Sequence, residues 1–139
     1  MSDECDEATR NFEAARSDLQ TAESRHQNAV SVLEQAERDL LIAQGVRAVA
    51  VQGVDAALRL VSNAEHNTAG EMDWESKLAS ARQQHDLAVS EESAASYRVT
   101  LAEGRVSLSK QDASTAATEV TSSTYNTQKL EQIKWDNCK

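Results

Sequence analysis

Alanine recurs at every seventh position from residue 8 to residue 64: Ala8, Ala15, Ala22, Ala29, Ala36, Ala43, Ala50, Ala57 and Ala64. A seven-residue repeat keeps one helix face on a partner helix. Alanine at each turn of that seam brings the partner backbone unusually close. Three residues before each alanine runs a second, larger stripe: Cys5, Phe12, Leu19, His26, Leu33, Leu40, Arg47, Val54 and Val61. The spacing predicts one helix over about 3–67.

The second half repeats the pattern. Trp74, Ala81, Ala88, Ala95, Ala102, Ser109, Ala116, Ser123 and Leu130 form its small stripe; Leu78, His85, Glu92, Val99, Val106, Ala113, Val120 and Thr127 form the other. A second helix is predicted over about 74–136. Between them lies the best turn signal, about 67–73. Asn67 or Gly70 can close the first helix. Thr68-x-x-Glu71 matches a capping box, and Asp73 is an alternative N-cap.

Folding one helix back on the other makes facing residues add to a constant, 142. Phe12 meets Leu130, Leu19 meets Ser123, Ala36 meets Val106, Ala43 meets Val99 and Val61 meets Ala81. Most layers pair a small residue with a larger one, which fills a seam without voids. Half of 142 is 71, inside the turn found from local signals. The expected fold is all-α: a long antiparallel two-helix coiled-coil hairpin with an alanine-rich seam, one domain over 1–139. At 1.5 Å per residue it would be a narrow rod. The absence of proline and an aromatic content of 4% agree with that and not with a thick globular core.

Two polar intrusions acquire a meaning in this register. Arg47 and Glu92 fall in neighbouring layers and are expected to form an ion pair within the seam. Cys5 and Cys138 add to 143 and share the open end. A disulfide between them is one reading and two free thiols the other, because compartment decides.

The outer faces differ along the chain. Residues 3–39 carry ten acidic side chains and four arginines, as a solvated two-helix stalk would. Nearer the turn, Leu41, Ile42, Val46, Val49, Val51, Leu58 and Leu60 lie outside the seam, and Leu87, Leu101 and Leu108 repeat on the second helix. Two helices cannot cover this surface, so it is expected to meet another copy or another helical protein in a local four-helix bundle. The competing readings are a chain of singly exposed residues, or a first helix that breaks near Gly45 or Gly53 and covers itself. His66, Met72 and Trp74 could add a docking point at the turn. Residues 107–127 hold ten serines and threonines, read as packed helix over a low-complexity linker.

No residues assemble into chemistry. His26 and His85 sit on the stripes too far apart to share an ion, so no metal, cofactor or catalytic residue is expected. Neither a phosphate loop nor a cavity for a small-molecule substrate is indicated. The net charge of −9 argues against binding nucleic acid or anionic lipid. The lack of an unbroken apolar run of 18 residues argues against membrane insertion. The acidic N-terminus does not resemble a secretory signal, which favours the cytoplasm, with leaderless export or a processed secreted form as alternatives.

In outline the proline-free hairpin resembles the stalk proteins of type III export systems, phage scaffolding proteins and the small helical hairpins of type VII secretion. The last group carries Trp-x-Gly in its turn, where this chain has Asp73-Trp74-Glu75. The outline is common to unrelated groups and places the chain in none of them. Three functions follow from the sequence: a structural or assembly scaffold first, then a helical chaperone or adaptor of a secretion or assembly system, then a secreted effector closed by a terminal disulfide.

Overall fold

The computed structural model describes residues 3–66 and 73–139. It contains two helices packed against each other, α1 (Asp3–His66) and α2 (Trp74–Asn137), with no strand among the described residues. Asp3, Glu4 and Asp6 fill the first turn of α1, where the helix dipole favours negative charge. Its last turn is closed by His66, whose Nδ1–H donates to the Ser62 carbonyl at 2.7 Å. The Lys77 N–H donates to the Asp73 carbonyl at 3.1 Å, so Asp73 stands at the N-cap of α2. The other expected turn residues, Asn67, Thr68, Gly70 and Glu71, lie outside the described residues. α1 runs unbroken through Gly45 and Gly53.

The chain falls into two compact units. The first joins Met1–Ala36 with Val106–Lys139, and the second is Glu37–Arg105.

In the first unit the buried residues are stripe residues, among them Ala8, Ala15, Ala22, Ala36, Val106, Ser109, Ala116 and Thr127. The reason alanine is required shows at one layer. Thr127 Oγ1 lies 2.7 Å from the Ser123 carbonyl of its own helix and 3.3 Å from the Ala15 carbonyl across the seam, sharing one proton between them. A longer side chain at residue 15 would hold the two backbones too far apart for that bond. Ala15 and Thr127 add to 142, the constant expected from periodicity. The Ser/Thr-rich stretch is helical throughout. Thr118, Thr121 and Thr124 return their hydroxyl protons to the carbonyls of Ser114, Ala117 and Val120, four residues back. Those hydroxyls are thereby satisfied without a partner outside the helix.

In the second unit Ala57, Ala81, Ala95, Val99 and Ala102 are buried, and Val99 is 1% exposed. The remaining stripe residues of both helices are half-buried, with one exception. Arg47 is exposed, and among the described residues no ion pair joins it to the half-buried Glu92. The expected seam ion pair is corrected here. A guanidinium buried beside an alanine needs full hydrogen bonding to offset its lost hydration, whereas a long side chain can carry its head out to water. A salt bridge across the helices lies on the flank, between Arg82 and Glu65 at 3.6 Å.

Candidate interaction surface

The large apolar residues left exposed are concentrated in the second unit. Leu41, Ile42, Val46, Val49, Val51, Leu58 and Leu60 on α1 and Leu87 and Leu101 on α2 are all exposed, from 40% at Val51 to 68% at Leu41 and Val49. Leu108, in the first unit, is 63% exposed.

These residues do not form one face. Val51 and Leu58, one heptad apart, share a second direction around α1, and Leu41 points in a third. Ile42, Val46, Val49 and Leu60 belong to one stripe, completed by Gly53 and Ala56. The intervals are four, three, four, three and four, which is a second stripe of heptad spacing on the same helix. At 100° per residue it is centred roughly 110° around α1 from the alanine seam. It is easy to miss in the sequence because two of its six positions are Gly and Ala. The signal was nevertheless there, as the same alternation of three and four that marks the first seam.

A groove of about 400 Å³ runs beside this stripe. Val46, Val49, Ala50 and Gly53 line it from α1, and Ala94 and Ala95 from α2, together with Glu91 and Arg98. Leu87 and Leu101 lie one heptad either side of Ala94. Gly53 leaves a gap in the wall: a Cβ added there would meet nothing within 4 Å, and the same holds at Gly45 and Gly104.

α1 also contains an 18-residue window of mean hydropathy 1.2 with no more than two charged residues, of which 6% is buried. By length and composition the helix could cross a membrane. The window is not an unbroken apolar run, since isolated polar residues interrupt it.

In the first unit Cys5 and Cys138 form a disulfide, with Cα atoms 4.9 Å apart. Thr9 Oγ1 donates to the Cys5 carbonyl at 2.8 Å and lies 3.9 Å from the Cys138 sulfur. One turn on, Phe12 carries a cation on its ring from each helix, Lys134 Nζ at 5.1 Å and the Arg16 guanidinium at 5.7 Å from the centroid. A small cavity of about 150 Å³ touches Phe12, Lys134, Trp135 and Cys138.

At the other expected docking point Trp74 is half-buried and His66 exposed, while Met72 lies outside the described residues. His26 and His85 are half-buried in their stripes. Among the described residues no three His, Cys, Asp or Glu side chains gather closely enough to hold a metal ion. No known protein family matches the chain, and neither a curated protein nor a solved structure proves similar to it.

Proposed function

We propose that this protein is a non-enzymatic scaffold or assembly protein, a coiled-coil hairpin that acts by packing the apolar surface of its second unit against another helical protein surface. The observation that carries this is the second heptad stripe on α1, four of whose six positions are large apolar side chains at least 43% exposed. Burying such side chains is worth about 1.5–3 kcal/mol each when complete. A patch of this kind on a charged chain marks a contact. A helical partner suits it better than a bilayer, because Arg47, Asp55 and Arg59 are spaced around the same stretch and each is costly in hydrocarbon.

The disulfide favours a second element of the reading. A bridge between residues 133 apart persists in oxidising compartments and is rare in the cytosol. The reading therefore places the scaffold outside the reducing cytoplasm, in the exported form that the sequence offers as an alternative. Affinity capture from native material under non-reducing conditions tests both parts. The proposal expects a helical protein or a second copy in the captured complex and no free thiol in the captured chain. Recovery of the reduced chain as a lone species at native concentration would count against it.

A further inference from the structure

We propose that the stripe Ile42, Val46, Val49, Gly53, Ala56 and Leu60 is the seam for a second copy of this chain, whose α1 lies antiparallel to the first about a two-fold axis level with residue 51. This rests on the reading of the second unit as an association surface, and adds the partner and the register.

The stripe is self-complementary. In a two-fold antiparallel pair the facing residues of the stripe add to a constant. At 102, Ile42 faces Leu60 of the second copy, Val46 faces Ala56, and Val49 faces Gly53. Two of the three kinds of layer match a large side chain with a small one, as in the intramolecular seam. Shifting by one heptad spoils this. At 95, Asp39 falls opposite Ala56 and Gln35 opposite Leu60. At 109, Gly53 meets Ala56 with a void between them, and Val46 meets Asn63. A parallel in-register pair sets valine on valine and glycine on glycine, so no single helix separation suits every layer. Only 102 keeps all six positions on apolar or small partners.

Gly53 itself points to a close neighbour. Glycine inside a helix destabilises it relative to alanine. Nothing within the chain crowds this position, since an added Cβ would meet open space. A close approach from outside supplies the reason that the fold does not. Val49 of the second copy would enter the groove at that gap, where Ala50 and Ala95 also lie.

The exposed area is sufficient. Ile42, Val46, Val49, Leu60, Leu87 and Leu101 are 43–68% exposed. At on the order of 100 Å² each, two copies would bury roughly 1,200 Å², the lower bound of a stable interface. Charge permits it: the chain carries −9, yet residues 40–61 contain a single acid, Asp55.

The test is sedimentation equilibrium of the full, disulfide-intact chain between about 1 and 200 µM, a range that brackets micromolar dissociation constants. A monomer–dimer equilibrium is expected. Gly53→Leu is the informative variant, because it improves helix propensity and has room in the monomer but clashes with Val49 of the second copy. It should raise the monomer's thermal midpoint and weaken dimerisation about 100-fold, two overpacked layers at tenfold each. Adding Val49→Ala exchanges large for small within the layer and should recover dimerisation to within about tenfold.

A wild-type chain monomeric throughout the range overturns the second copy and leaves a different helical partner standing. A dimer indifferent to Gly53→Leu, or not recovered by Val49→Ala, overturns the register while self-association survives. Flotation of the chain with phosphatidylcholine vesicles, without dimer in solution, overturns this proposal and the helical-partner reading together.

Discussion

Reducing the Cys5–Cys138 disulfide should be the most destabilising single covalent change available to this chain. The bridge joins residues 133 apart, so it closes a loop of nearly the whole sequence. The loop-closure relation for about 134 residues removes roughly 17 cal/mol/K of entropy from the unfolded chain, or about 5 kcal/mol at 25 °C. The bridge also restrains the end where Phe12 packs beneath Lys134 and Arg16. Helix ends fray when nothing ties them. Two effects should therefore appear when Cys5→Ser/Cys138→Ser is compared with the oxidised chain. Urea unfolding, followed by circular dichroism at fixed protein concentration, should lose between about 3 and 5 kcal/mol of stability. Hydrogen exchange should accelerate first over residues 3–12 and 130–137, with the amides near Val99 changing only as global stability changes. The bridge acts here as a constraint on the unfolded state. A loss of less than about 1 kcal/mol, or exchange that accelerates first in the second unit, would refute that role.

Four further outcomes are expected. Val99→Ala, at the most buried large side chain, should cost about 2 kcal/mol in urea unfolding, whereas Val49→Ala, 68% exposed, should cost the monomer less than about 0.5. Ala15→Leu should cost about 1–3 kcal/mol by overpacking the layer where Thr127 reaches the Ala15 carbonyl, and a thermal melt unchanged by it would remove the close-backbone account of the alanine repeat. Gly45→Ala should raise monomer stability by about 1 kcal/mol, since the added methyl meets nothing within 4 Å and helix propensity alone decides. Glu65→Gln should shift stability by less than about 0.5 kcal/mol at physiological salt, because both members of the Arg82 pair are about half exposed, and a larger loss would mean that this flank contact specifies register.

The alanine seam was readable because each of its residues answers to one constraint, the distance between two backbones. Nothing but a small side chain allows Thr127 to approach Ala15, so the repeat states its geometry openly. The register followed because two independent signals, the local turn and the facing constant, had to agree. The cysteines were legible in position and not in state, since a sum of 143 brings two thiols to one end while the bond also depends on redox conditions. Arg47 was misplaced because a stripe position specifies where the Cα points, and a long cationic side chain need not follow it.

The second stripe stayed hidden for a different reason. A residue buried inside the chain is recognised by what surrounds it, but Gly53 and Ala56 are exposed here, and without them Ile42, Val46, Val49 and Leu60 read as scattered apolar residues. Their order appears once exposure is known: the positions that the fold fails to cover keep the same three–four alternation as those that it does cover. A helix whose uncovered face repeats the period of its covered face has the patterning of a helix with two neighbours, and the chain itself supplies one of them.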